Sequence, residues 1–211
     1  MSGISRLRRL VLNKCTKLVS LPQLPGSLSI LEAESCESLE RLACSFPNPE
    51  VCLRFIDCWK VNEEGRDIII QTSTSNYAIL PGREVSAFFT YRTTTGGSLA
   101  VKLNQRSIPT TLRFKVCILL VRTANKTDDE DCWSSVMLSL VDNKSGCEYN
   151  SRCPTLSPLL TEHLYTFEGE VRNVESIELV LNFKIRSFKW KIGECGIRPL
   201  LEEDTNFESS V

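Results

Sequence analysis

Apolar positions in the first part of the chain recur at a fixed interval. In "LRRLVLNKCTKLVSL" they are Leu7, Leu10, Leu12, Cys15, Leu18 and Leu21. The same series returns 21 residues later as Leu28, Leu31, Ala33, Cys36, Leu39 and Leu42 of "LSILEAESCESLERL". A weaker third copy, "LRFIDCWKV", places Leu53, Phe55, Cys58 and Val61 at matching positions. Each copy predicts a short strand whose alternate residues point inward, with a Cys or Asn closing the turn that follows. One copy cannot bury its own apolar face, so the copies must stack.

The pattern L-x-x-L-x-L-x-x-C-x-x-L is that of leucine-rich repeats. Two and a half copies are too few to stand alone and read as the C-terminal end of a longer solenoid. Alternation turns Arg9, Val11 and Asn13 outward from the first copy, Glu32 and Glu34 from the second, and Arg54 from the third. These residues would line the concave face, the usual binding surface of such arrays.

The period ends after the third copy. "NEEGRDIIIQ" predicts a short helix with Asn62 as cap and Glu63 and Glu64 favourable in its first turn, weakened by Gly65. From Tyr77 onward the pattern is strand after strand. "SLAVKLN" sets Leu99, Val101 and Leu103 on one face. "SIELVLNFKI" groups Ile177, Leu179, Leu181, Phe183 and Ile185, and "FKWKI" also alternates. "FKVCILLV" and "SVMLSLV" are continuously apolar, as strands covered on both faces would be. Turn signals at Pro81-Gly82, Gly96-Gly97, 142–146, Pro154 and Pro158 divide the runs. The expected fold is mainly β, with leucine-rich repeats over 1–61 packed on an antiparallel β-sandwich over 77–201. A junction over 62–76 holds the helix, and 202–211 is a polar tail expected to be disordered.

Composition narrows the function classes. A hydrophobic content of 42% and a charged content of 24% are those of an ordinary globular protein. A net charge of -1 gives no bulk attraction to nucleic acid or anionic membrane. The basic runs "SRLRRL" and "NFKIRSFKWKIG" are interleaved with apolar residues, as a strand with one solvated face requires. No stretch reaches the roughly 20 apolar residues that span a bilayer. The N-terminus lacks the apolar core and cleavage site of a signal peptide, and its abrupt start reads as part of something longer or truncated. The ten cysteines fit either a secreted disulfide framework or free thiols in a reducing compartment. "KVCILLV" and "GECGI" place thiols in apolar runs, which favours a cytoplasmic or nuclear setting.

Candidate chemistry is sparse. The single histidine, His163, lacks a recognisable nucleophile context and reads as structural. Cys52 and Cys58 are six apart, as are Cys147 and Cys153, and no CxxC occurs. The acidic run from Asp128 to Asp131 lacks the spacing of a calcium loop and reads as a solvated hairpin tip. "TTTGGS" lacks the Lys of a phosphate loop. Trp133, Trp190 and Tyr91 would suit a carbohydrate platform, but strand aromatics usually belong to a core. No enzyme activity, metal or cofactor is expected.

The order of elements carries a resemblance. A repeat of the type "LVSLPQLPGSL" runs into "LRFIDCWKVNEEGRDII", then "LPGREV", "GGSLAVKL", "EHLYTF" and "KWKIGECGIRPLLEE". This order resembles the C-terminal end of plant intracellular immune receptors of the TIR-NBS-LRR class, over nearly the whole chain. The resemblance implies a jelly-roll/Ig-like domain after the repeats. It departs from the family motif at Ser86, where proline is common, and at Phe88, where tryptophan is common. No TIR module or nucleotide-binding P-loop is found in the sequence.

The resemblance further implies recognition of a pathogen effector protein, in concert with nucleotide-binding and repeat modules of the receptor, and no nucleic-acid or membrane partner. It assigns Leu80, Pro81, Gly82, Glu84, Val85, Phe88 and Phe89 to scaffold. Candidate contact residues lie in three polar loops, at Arg92 and Thr94, at Asp128 and Asp129, and at Asn150 and Arg152. A carbohydrate-binding sandwich and a truncated receptor acting as modulator or decoy are the competing expectations.

Overall fold

A computed structural model of the chain describes residues 6–94, 97–103, 111–123, 134–142, 148–156, 162–172, 178–186 and 190–200. The repeats fold as stacked rungs. Strands β1 (Arg9–Val11), β3 (Ile30–Glu32) and β5 (Cys52–Arg54) pair in parallel, with Leu10 opposite Leu31 and Leu31 opposite Leu53. Two-residue strands β2 (Ser20–Leu21) and β4 (Arg41–Leu42) pair alongside.

Each rung then turns through one left-handed residue, Lys14 (φ 62°), Ser35 (φ 55°) or Asp57 (φ 57°). Hydrogen bonds tie these turns together. The Lys14 N–H donates to the Glu34 carbonyl at 2.7 Å, and the Ser35 N–H to the Ile56 carbonyl at 2.8 Å. The repeat cysteines bond backward, Cys36 Sγ to the Leu12 carbonyl at 3.0 Å and Cys58 Sγ to the Ala33 carbonyl at 2.6 Å. The cysteine of the motif is therefore a thiol donor that stitches each rung to the one before.

Helix α1 (Glu63–Gln71) closes the repeats, and its Asn62 cap accepts from the Gly65 N–H at 2.9 Å. Gly65, unfavourable for helix propensity, is there for packing. A Cβ at that position would stand 2.9 Å from Val61 Cγ1 and 3.2 Å from Leu42 Cγ. Ile69 and Ile70 are buried on the face turned to the repeats.

Strand β6 (Ala78–Pro81) joins the two halves. It pairs in parallel with β5, Leu53 opposite Ala78, and so acts as a fourth rung. The sandwich strands follow as β7 (Tyr91–Thr93), β8 (Ser98–Lys102), β9 (Thr111–Arg122), β10 (Ser134–Asp142), β11 (Glu148–Leu156), β12 (His163–Arg172), β13 (Glu178–Arg186) and β14 (Trp190–Leu200). β6 pairs with β12 in the antiparallel sense on its other edge. The result is one eight-stranded sheet ordered β1-β3-β5-β6-β12-β9-β14-β7, with a four-stranded sheet β11-β10-β13-β8 beside it. The repeats thus meet the sandwich edge to edge within a single sheet.

Both faces of β9 are buried, as its continuous apolar run predicts. Phe114, Val116, Ile118 and Leu120 join Leu99, Val101, Leu181 and Phe183 in the sandwich core. Cys117 and Leu119 join the second core, with α1, Val85, Phe89 and the repeat leucines. Lys115 shares that second face and is buried, its ammonium donating to the Thr72 carbonyl at the end of α1. A cation there meets the negative end of the helix.

One expectation changes, while the acidic run expected as a hairpin tip lies outside the described residues. Asn150 and Arg152 sit in β11, not in a loop. Pro154 suggested a break there, but β11 is an edge strand, and its register to β10 slips between Ser135 and Met137, opposite the proline.

Candidate recognition surface

The outward residues of the repeats form a strip that runs into the sandwich sheet. Register aligns Val11, Glu32, Arg54 and Ile79 across four strands. Arg9, Val11 and Asn13 are exposed, while Glu32, Glu34 and Arg54 are half-buried. The charges pair between rungs. Arg9 lies 3.0 Å from Glu32, and Arg54 lies 2.5 Å from Glu34. Asn13 also has a structural task, since its side-chain oxygen accepts from the Glu34 N–H at 3.0 Å. Where the strip meets the sandwich, the Tyr77 ring stacks on Tyr165 at 5.3 Å. Burial first, and then its contact with the Cys52 thiol, pushes the Tyr77 phenol up.

The last rung ends on a residue from the sandwich. The Asp57 N–H donates to His163 Nε2 at 3.1 Å, in place of the carbonyl that a further rung would supply. His163 is fully buried, with Trp59 edge-on at 6.2 Å. The histidine bonds a backbone amide that lies 106 residues away, and no local pattern predicts this partner.

The opening motif is a hub of contacts. The Pro81 carbonyl accepts from Arg66 of α1 at 2.6 Å. A Cβ on Gly82 would stand 2.6 Å from Leu164 Cγ, so only glycine fits. Leu80, Val85 and Phe89 are buried in the second core, and Phe88 is half-buried with its ring edge-on to Phe89 at 5.2 Å. The closing motif clamps this hub. Glu194 accepts from the Val85 N–H at 2.8 Å, and Arg198 stacks over Phe88 at 4.5 Å.

Arg92 belongs to β7, the last strand of the large sheet, and Thr94 follows it. Together with Glu84, Val85, Thr93 and Glu194 they border a cleft of about 560 Å³. The concave-strip residues lie at the other end of the sheet from this cleft. Asp128 and Asp129 lie outside the described residues, as does Trp133. Trp190 is 6% exposed in the sandwich core, so its face is not presented to a glycan. The Tyr91 hydroxyl donates to the Lys102 carbonyl.

Among the described residues no group of three or more metal-ligating side chains occurs, and no helix is long and apolar enough to cross a membrane. Cys15, Cys36, Cys44, Cys52, Cys58, Cys117 and Cys195 are free thiols. Burial raises the Cys44 and Cys195 thiols to about 11 and the Cys58 thiol to about 12. Such thiols remain protonated and unreactive at neutral pH.

These features define a leucine-rich repeat protein whose repeats end in a β-sandwich. Residues 80–206 match the C-JID domain family. The chain is 47% identical over 199 residues to probable disease resistance protein RPP1 of Arabidopsis thaliana, covering 92% of this chain and 16% of that protein. Identity of 47% over 181 residues links it to disease resistance protein TAO1 of Arabidopsis thaliana, covering 83% of this chain and 14% of that one. Disease resistance-like protein DSC2 of the same plant is 34% identical over 237 aligned residues, covering 94% and 19%. The chain belongs to the C-JID family of plant TIR-NBS-LRR disease resistance proteins and spans less than a fifth of the length of these relatives.

Proposed function

We propose that the chain is a non-enzymatic recognition module of a plant intracellular immune receptor, binding a pathogen effector protein in the cytoplasm or nucleus. The observation that carries this reading is the single sheet through which the repeat strip passes into the sandwich. An effector seated on Arg9, Val11, Asn13, Glu32, Glu34 and Arg54 is held at a fixed distance from contacts at Arg92, Thr94 or the sandwich loops. Two modest contact areas then act as one interface without a second loss of translational freedom. Engagement would be relayed to the receptor's nucleotide-binding module through the repeats.

The charge pairs give the strip its specificity. Each cation on it already has a carboxylate partner, so an effector must match the pattern of alternating charge rather than a net charge. The double substitution Glu34→Arg with Arg54→Glu keeps the ion pair and reverses the pattern. In calorimetric titrations against purified pathogen effectors, the expected result is a protein ligand whose affinity falls about tenfold or more on that swap. Binding of glycans in place of proteins, or effector binding indifferent to both the swap and Arg92→Glu, would overturn the reading.

A further inference from the structure

The segment between β6 and β7 carries a serine set between guanidinium groups. Residues 82–90 form neither strand nor helix, and Arg83, Glu84 and Ala87 around Ser86 are exposed. Ser86 is half-buried. Its hydroxyl oxygen accepts from the Phe88 N–H at 3.2 Å, and its carbonyl accepts from the Phe89 N–H at 3.2 Å. The hydroxyl is therefore held on a tight turn within a surface segment that no sheet pairing shields.

Two arginines from other parts of the sheet reach the peptide groups beside it. Arg92 of β7 donates to the Val85 carbonyl at 3.5 Å, on the residue just before Ser86. Arg198 of β14 donates to the Phe88 carbonyl at 3.4 Å and lies over the Phe88 ring at 4.5 Å. Both bonds are longer than the usual range, so both guanidiniums are weakly engaged. Neither is paired with a carboxylate among the described residues. Glu194, the carboxylate bonded to this segment, is taken up by the Val85 N–H at 2.8 Å.

We propose that Ser86 is a phosphorylation site for a protein kinase that reads a basic residue three positions before its target. Arg83 stands at that position, exposed, with its guanidinium over the Trp59 ring at 5.7 Å. In the transfer, Ser86 Oγ bonds to the γ-phosphorus of ATP as the bond from that phosphorus to the β–γ bridging oxygen breaks. ADP leaves, and the hydroxyl proton passes to the kinase's catalytic base. The product carries about two negative charges and adds three strong acceptor oxygens. Arg92 and Arg198 then exchange long carbonyl contacts for charge-assisted bonds to the phosphate. The modified serine staples the opening motif to β7 and β14, the strands that pair at this end of the large sheet. The inference holds whichever protein the recognition surface binds.

Two measurements on the full chain test it. In the first, the protein is incubated with ATP and a basophilic serine kinase and mapped by mass spectrometry. Phosphate on Ser86 is expected, absent from Ser86→Ala and reduced about tenfold or more by Arg83→Gln. No phosphate on Ser86, or transfer indifferent to Arg83→Gln, overturns the proposal. In the second, phosphoserine is installed at position 86 during translation and titrated by phosphorus NMR. Its second ionisation should fall about one unit below the usual value of about 6, and return there when Arg92 and Arg198 are changed to glutamine. The urea midpoint should rise on phosphorylation in the parent chain but not in that double variant, whose unmodified form supplies the folding baseline. An ordinary ionisation in the parent chain, or a midpoint gain that survives the glutamines, also overturns it.

Discussion

Replacing His163 by leucine probes the join between repeats and sandwich where the histidine meets Asp57. Leucine keeps the apolar bulk but removes the acceptor 3.1 Å from the Asp57 N–H. That N–H belongs to a half-buried left-handed turn residue at φ 57°, at the turn that ends the third repeat. An orphaned buried donor costs about 1–3 kcal/mol. With a urea dependence of about 3 kcal/mol per molar, the unfolding midpoint should fall by roughly 0.3–1 M. The assay is urea denaturation followed by tryptophan fluorescence, with exchange of the Asp57 amide as a local readout. His163→Gln offers an amide oxygen to the same N–H and should recover much of the loss. An unchanged midpoint for His163→Leu, or a Gln variant no better than the Leu variant, would refute the idea that this histidine caps the turn of the third repeat.

Other expectations follow from the same packing. Gly82→Ala and Gly196→Ala each push a methyl to 2.6 Å from a buried side chain, Leu164 and Val85 respectively. Each should lower stability by about 1–3 kcal/mol in denaturant titrations, and a neutral result would disprove the close approach. Above pH 9 the protein should lose stability steadily. Unfolded thiols lose their protons near the ordinary value of 9.0, while Cys44, Cys58 and Cys195 hold theirs to about 11 or 12 in the fold. Each thiol then removes up to about 1.4 kcal/mol per pH unit. Lys115 opposes this, since burial lowers it from 10.5 to about 8 and the folded state sheds its proton first. Lys115→Met should therefore steepen the alkaline loss in urea midpoints measured from pH 8 to 10.5, and a flat profile would contradict both assignments.

Much of this architecture was legible in the chain because it depends on local periodicity. The 21-residue offset gave the rungs, Asn62 the helix start, and alternation in "SLAVKLN" and "SIELVLNFKI" the sandwich faces. Long-range contacts were not legible. "AILP" has no leucine-repeat spacing, yet β6 is a fourth rung, because a strand that must also pair with β12 follows the sandwich's demands. Lys115 sits in an apolar run that hides its role at the end of α1. Glu194 and Arg198 reach the opening motif across 109 and 110 residues, beyond any window of sequence pattern. For the candidate site, the outward rung positions were readable from the period. Their pairing across rungs required the register, and Asn150 and Arg152 were misplaced in a loop because proline reads as a break.

Repeats and sandwich share one sheet and should open as one cooperative unit. Native-state hydrogen exchange as a function of urea tests this most directly, comparing the Leu53 and Phe55 amides, which donate to the Tyr77 and Ile79 carbonyls, with the Ile118 and Leu164 amides of the sandwich. One shared opening free energy for both groups is the predicted result. Repeat amides that exchange through a separate, lower-energy opening while the sandwich stays protected would contradict it.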